Sequence, residues 1–311
     1  MEIRLVRNFD ELLERAIALP PKTVAVVNPN NKETFDAITA AGAVMKSKFV
    51  LFGDEKTITN GLAFMPEESR TGTKIIGCGG LTDALNLAIG SLNKGEADIL
   101  MKGGVDTSTL MKAVLSEESG LRTGRLLSDV FVFEYPSGGD GRLIMITDGG
   151  INLTPDLRNK IELIRNAVDV AHALGNQNPR VAILSASEFV NPALQSTVDA
   201  AALSKMNERG QIKGCVLDGP LALDNALFRE AAEEKGINSE VAGRADILVA
   251  PDIVSANSLA KSTTYFANLR LAHIIMGARV PILIPSRSDK SDAKLLSIAL
   301  SSLVMEFFSQ S

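Results

Sequence analysis

Tryptophan is absent from this 311-residue sequence, and tyrosine, cysteine and histidine occur only twice each. Each scarcity removes a class of function. Without Trp and with so few Tyr there is no aromatic platform on which nucleobases could stack. Cys78 and Cys215 cannot build a disulfide framework, and they favour a reducing compartment. His172 falls in a predicted helix and His273 in an apolar strand, which is poor material for a metal cluster. Positive charge is not in excess: the formal net charge of −5 argues against a nucleic-acid coat or a basic membrane patch. No apolar run approaches the ~20 residues that span a bilayer. The opening MEIRLVRNFDELLERA is charged throughout and has no secretory apolar region. A soluble, cytoplasmic protein is expected, with neither membrane nor nucleic acid among its partners. Hydrophobic residues at 45% and charged residues at 22% match ordinary folded chains, and the length suffices for two domains.

What the sequence does have is alternation. Asn8 with Glu11 reads as a capping box opening a helix over about 9–18. KTVAVVN is then a β-branched run suited to a strand buried on both faces. KFVLFG, TKIIGCGG and ADILMKG repeat that theme, with ETFDAITAAGAV and DALNLAIGSL as helices among them. Such alternation predicts a parallel sheet flanked by helices. Near residues 122–150 the rhythm changes: LLSDVFVFEYPSGGDGRLIMITDGG holds two apolar runs joined by a Pro-Ser-Gly-Gly-Asp-Gly turn, a hairpin that opens a second domain. Alternation resumes from Pro155, with a helix to about Leu174, strand RVAILSA, helix 191–207, strand GCVLD, helix 221–235 and strand ADILVA.

Two polar loops stand out because each follows a predicted strand. PILIPSRSDKSDAKLLSIAL (281–300) breaks from an apolar run into two cations, hydroxyls and a carboxylate before a helix predicted over 292–308, with Ser291 as its N-cap. Helix N-termini carry free N–H groups and partial positive charge, which suit a phosphate. Arg287 can grip its oxygens in bidentate fashion, and Lys290 adds charge. ADILMKGGVDTSTLMKAVL supplies Lys102, two glycines, Thr107, Ser108 and Lys112 around another helix start. Taken singly, the first loop fits a solvated connection with capping serines better than an anion site, and the second fits a capped connection and an anion site equally well. Ligands of open parallel sheets bind beyond the carboxyl ends of strands, where both loops fall. RTGRLLSD and ITDGGINLTPD add Arg122, Arg125 and Asp148 in the same way, and so does Asp218-Gly219-Pro220 after its strand, although Asp-Gly-Pro reads equally as a simple turn. There is no Walker A spacing, no G-x-S-x-G elbow and no complete dinucleotide fingerprint.

Taken in order, ADILMKGGVDTSTLMKAVL, GLRTGRLLSDVFVFE, ERGQIKGCVLDGPLALDNAL, GRADILVAPDIVSANSLAKSTTYFA and GARVPILIPSRSDKSDAKLLSIAL resemble the phosphate acetyl/butyryltransferase family, most closely its butyryl branch. The resemblance runs over roughly residues 95–300. It implies an α/β fold of isocitrate/isopropylmalate dehydrogenase-like form: two α/β domains with mostly parallel sheets and an active-site cleft between them. Residues 1–122 plus 275–311 would form the first domain and 123–274 the middle one. It further implies reversible transfer of a short-chain acyl group between coenzyme A and phosphate by direct thiolate attack, commonly in a homodimer or higher homo-oligomer. Coenzyme A would be a substrate, with no permanently bound cofactor and no metal. Ser286 and Arg287 would contact the acyl phosphate, and Asp289, with Asp292 close by, would be the base. Lys102, Thr107, Ser108, Lys112, Arg125, Asn257, Ser288 and Lys290 complete the candidate substrate-binding set.

The family pattern is not followed everywhere. Lys112 stands where an arginine is usual and lacks its bidentate geometry, and Ala293 stands where the acetyl branch carries its aspartate. Val254-Ser255-Ala256-Asn257 also departs from the usual Glu-Ala-Gly-Asn after Pro-Asp-Ile. Three other readings therefore remain open. One is a phosphate acetyltransferase. Another is an NAD- and metal-dependent decarboxylating dehydrogenase using Asp218, Asp224, Asp246 and Asp252. The third is a non-catalytic acyl-CoA-binding protein.

Overall fold

The structure, a computed structural model, describes residues 4–136, 141–286 and 291–310. Its contacts divide into two compact units: Asp10–Arg125 with Ala272–Ser311, the outer unit, and Leu126–Leu271 with the chain up to Phe9, the middle unit. The first residues, read with the first domain in the sequence, instead join the middle unit. There the Val6 N–H donates to the Leu174 carbonyl at 2.8 Å and the Phe9 N–H to Glu134 Oε1 at 2.6 Å.

The outer unit runs α1 (Phe9–Ala18), β1 (Thr23–Val27), α2 (Lys32–Met45), β2 (Lys48–Gly53), α3 (Glu55–Ala63), α4 (Glu67–Arg70), β3 (Thr73–Gly77), α5 (Leu81–Asn93), β4 (Ile99–Lys102) and α6 (Thr107–Leu115). α3 has no counterpart in the sequence reading. It is capped by Asp54, which accepts from the Thr57 N–H, but buries only Ile58, so it writes almost no apolar stripe.

The middle unit follows with β5 (Ser128–Tyr135), β6 (Arg142–Thr147), α7 (Leu157–Ala173), β7 (Arg180–Leu184), α8 (Gln195–Glu208), β8 (Val216–Leu221), α9 (Leu223–Leu227), α10 (Arg229–Glu234), β9 (Ile247–Val249) and α11 (Ile253–Tyr265). Its strands lie in the order β5-β6-β9-β7-β8, parallel except for the β5–β6 hairpin. One expected helix over 221–235 is two. Asn225 and Ala226 carbonyls, which a continuous helix would give to residues four further on, accept instead from the N–H groups of Gly243 and Ala245. Asp218-Gly219-Pro220 is no turn but part of β8. That strand ends the order, where proline is tolerated, and its register against β7 shifts between Ala182 and Leu184 to admit it.

The chain then returns to the outer unit through β10 (Leu271–Met276), β11 (Ile282–Leu283) and α12 (Ser291–Gln310). The outer order is β3-β2-β1-β4-β11-β10, all parallel except that β10 runs against β11. β1 is buried along nearly its whole length, as its β-branched composition requires. α12 packs on α2 and is buried well beyond its predicted stripe. Ser297, Ser301 and Ser302 are buried too, because each hydroxyl donates to the carbonyl four residues earlier and needs no water. Burying each Leu or Ile of this helix contributes roughly 1.5–3 kcal/mol.

Candidate active site

At the carboxyl edge of the outer unit, β4 ends in Lys102, whose buried ammonium donates to the Val105 carbonyl at 3.1 Å. That contact curls the chain into the loop before α6. Gly103 and Gly104 press this loop against the residues that follow β1. Their N–H groups donate to the Val27 and Asn28 carbonyls at 2.9 and 2.7 Å, and Asn28 Nδ2 returns a bond to the Gly104 carbonyl. Glycine is needed at 103, where a β-carbon would lie 2.6 Å from the Val27 carbonyl oxygen. Asp106 then caps α6, accepting from the Thr109 N–H and from the Ser108 and Thr109 hydroxyls. These bonds hold its carboxyl well below the usual carboxylate range, the Ser108 hydroxyl contributing most. Ser108 is thus exposed but engaged with the cap, Thr107 is half-buried at the first helical position, and Lys112 is exposed in the last turn.

β11 brings the second loop to the same edge. It runs parallel to β4 with Leu283 opposite Met101, so the chain leaves at Pro285-Ser286 beside Lys102-Gly103. Ser286 is exposed. Arg287, Ser288, Asp289 and Lys290 lie outside the described residues. α12 begins at Ser291, with Asp292 half-buried and Ala293 buried. The structure therefore gathers Lys102, Thr107, Ser108 and Ser286 at one sheet edge.

Two further candidate residues have local partners of their own. The N–H of half-buried Arg125 donates to Thr123 Oγ1, and Thr123 donates to the Gly277 carbonyl in the β10–β11 turn. That turn precedes β11 and hence sits at the amino edge of the parallel strands. Asn257 belongs to the middle unit, in α11, and donates to the Gly149 carbonyl at 2.8 Å. Gly149 lies in a loop organised by Asp148, a residue the sequence pointed to without giving it a role. The buried Asp148 carboxylate accepts from the N–H groups of Asp129, Gly150, Ile151 and Asn152. Burial, with Asp129 nearby, still pushes its carboxyl up.

Nothing in the sequence pattern announced a cavity of about 1070 Å³ in the middle unit, beyond the carboxyl ends of β7 and β9. The first turns of α7, α8 and α11 surround it. Its walls are mostly aliphatic. A buried ion pair lies within them, Lys160 Nζ to Asp199 Oδ2 at 2.6 Å, and Gln195 Nε2 donates to the other Asp199 oxygen at 2.8 Å. Single ionisable residues on two helices carry no sequence signal that they will meet.

Among the described residues no group of His, Cys, Asp and Glu is arranged to hold a metal ion. The four aspartates of the dehydrogenase reading have separate local tasks. Asp246 accepts from the Arg180 N–H before β9, whereas Asp252 caps α11 beyond that strand's other end. Asp218 accepts from the Gly219 N–H, and Asp224 pairs with Lys235. No helix of the described chain is long and apolar enough to cross a membrane.

A family model described as phosphate acetyl/butaryl transferase matches residues 78–302. A phosphate butyryltransferase of Clostridium beijerinckii is 44% identical over 298 residues, covering 96% of this chain and 98% of that protein. A phosphate acetyltransferase of Thermotoga maritima is 43% identical, covering 91% and 95%. Among solved structures, a branched-chain phosphotransacylase from Enterococcus faecalis superposes with a TM-score of 0.80 at 29% identity, covering 91% of this chain and 99% of that one. A 4-hydroxythreonine-4-phosphate dehydrogenase from Klebsiella pneumoniae shares the fold alone, with a TM-score of 0.55 at 14% identity, over 91% of this chain and 99% of that one.

Proposed function

The chain belongs to the phosphate acetyl/butaryl transferase family and transfers acyl groups reversibly between coenzyme A and phosphate, and from that premise we propose how its residues share the work. In the acyl-CoA-forming direction, the coenzyme A sulfur attacks the carbonyl carbon of a short-chain acyl phosphate in a ternary complex. The carbon–oxygen bond to phosphorus breaks, and phosphate leaves with the electron pair. A thiol of pKa near 8.5 is only a few per cent ionised at pH 7, so a base contributes about 10²–10⁴ in rate. Asp289 takes the thiol proton. Ser286 and Arg287 hold the transferring phosphate, with Lys112, Ser288 and Lys290 adding donors and charge around it. Lys102, Thr107 and Ser108 shape the loop beneath, and Asn257 positions the Gly149 loop.

One observation carries this reading: β11 runs parallel beside β4, delivering the Ser286 loop to the edge where Lys102-Gly103 opens α6. Coenzyme A enters as a substrate rather than a resident cofactor, and butyryl is the preferred chain. The enzyme works in the cytoplasm as a homodimer; the exposed neighbours Phe189 and Val190 support a subunit contact. Light scattering on the purified protein tests the dimer, and a monomer at micromolar concentration would exclude it.

The central test is release of free thiol from acetyl-, propionyl-, butyryl- and branched acyl-CoA in the presence of phosphate. Butyryl-CoA should give the highest kcat/KM, and absence of release from every member would refute the mechanism for this chain. Arg287→Ala should lower kcat/KM at least tenfold, since charge-assisted bonds contribute about 1.5–3 kcal/mol. Asp289→Asn should lower kcat and flatten its rise with pH.

A further inference from the structure

We propose that Asn28 is a positioning residue for bound phosphate, acting by locking the loop before α6 to the end of β1. The inference rests on the reading of that loop as part of the phosphate site. From β1 the chain adds β2 and β3 on one side and then β4 on the other, so the order of the outer strands reverses between β1 and β4. Open parallel sheets take their ligands beyond the carboxyl ends of the strands at such a reversal. Asn28 is the first residue after β1 at that point, and Gly104 is the second after β4. The bonds between them span the reversal.

Three bonds fix Asn28. Its N–H donates to the Phe52 carbonyl at 2.6 Å, its carbonyl accepts from the Gly104 N–H at 2.7 Å, and its Nδ2 donates to the Gly104 carbonyl at 2.9 Å. Gly104 is therefore gripped through both of its backbone groups by one residue. The backbone at 28 is left-handed, with φ 52°, a conformation that few side chains other than those of Asn and Asp adopt. Backbone held in such a region persists only where its surroundings over-determine it, and it gathers at functional sites. Room for the side chain comes from β2, where a β-carbon at Gly53 would lie 3.3 Å from both the Asn28 Cα and Oδ1. Lys102 and Asp106 brace the loop from within, at Val105 and at the start of α6. The Asn28 amide braces it from another strand. Its loss frees the Gly104–Val105 stretch, and with it the helix start that carries Thr107, Ser108 and Lys112.

Asn28→Asp keeps the size of the side chain and its tolerance of a left-handed backbone, but sets a carboxylate oxygen against the Gly104 carbonyl where a donor stood. Asn28→Gly keeps the backbone without strain and removes the amide alone. In both variants, with cooperative urea unfolding retained, KM for phosphate should rise at least fivefold while KM for butyryl-CoA stays within twofold. If Asn28→Asp does not fold, Asn28→Gly carries the comparison. Unchanged KM for phosphate in a folded, active variant overturns the proposal while its turnover upholds the acyltransferase reading. Equal rises in both KM values overturn it as well, because a general loosening of the fold would then account for them. Should the parent release no thiol from any acyl-CoA, the acyl-transfer reading fails and calorimetry with inorganic phosphate decides the role of Asn28. Binding that weakens at least fivefold in both variants upholds it, and equal binding, or none to the parent, overturns it.

Discussion

Gly103→Ala tests the loop architecture on which the candidate site depends. A β-carbon at 103 would meet the Val27 carbonyl oxygen at 2.6 Å, the Asn28 oxygen at 2.7 Å and the Asn28 carbonyl carbon at 2.9 Å. All three are backbone atoms at the end of a strand paired on both sides, so none can rotate away. The loop must retreat by about 0.8 Å to reach ordinary contact near 3.4 Å, stretching the Gly103 and Gly104 N–H bonds. Overpacking costs about 1–3 kcal/mol and each of the two weakened hydrogen bonds about 0.5–1.5 kcal/mol, which together give roughly 2–6 kcal/mol. Urea unfolding followed by circular dichroism should show the midpoint falling by about 1 M or more. KM for phosphate should rise with it, because the same displacement moves the start of α6. Gly104→Ala supplies the contrast. The atoms its β-carbon would meet first all belong to the exposed side chain of Asn30, which can swing into solvent, so the cost should stay within about 1 kcal/mol. A Gly103→Ala protein as stable as the parent, or less affected than Gly104→Ala, would refute the reasoning.

Three further outcomes follow from buried groups. Lys160→Met leaves Asp199 buried without its cation and should cost about 3–5 kcal/mol in urea unfolding, most of it recovered in Lys160→Met/Asp199→Leu. Asp148 holds its proton more tightly folded than unfolded. Its contribution to stability is therefore full below the unfolded pKa and is lost as pH rises through the folded one. Asp148→Asn removes that dependence, so its unfolding free energy between pH 4 and 7 should lose the corresponding downward slope, and an unchanged slope would contradict the assignment. Burial pushes the Cys215 thiol up to about 11, leaving about one part in a thousand as thiolate at pH 8. Iodoacetamide should therefore label partly exposed Cys78 in the native protein and Cys215 only after denaturation, read by mass spectrometry.

The alternation of strands and helices was written in the sequence, since hydrophobic periodicity is a local property and survives without knowledge of the partner. So were the two polar loops at strand ends, and the ordered motifs that carried the family. What periodicity cannot hold is which distant strand becomes a neighbour. The pairing of Leu283 with Met101 brought Ser286 to Lys102, while the Thr123–Gly277 bond held Arg125's loop to the opposite edge. The same limit explains the local misreadings. Asp218-Gly219-Pro220 is a turn by its residues and a strand by its place at the sheet edge. The helix over 221–235 broke because Gly243 and Ala245 claimed its carbonyls. The α12 serines are core by virtue of bonds to their own helix. The cavity and its Lys160–Asp199 pair belong wholly to the tertiary structure, because they exist only where the starts of α7, α8 and α11 converge. Local sequence sets what each segment can be, and long-range packing decides which polar groups face one another.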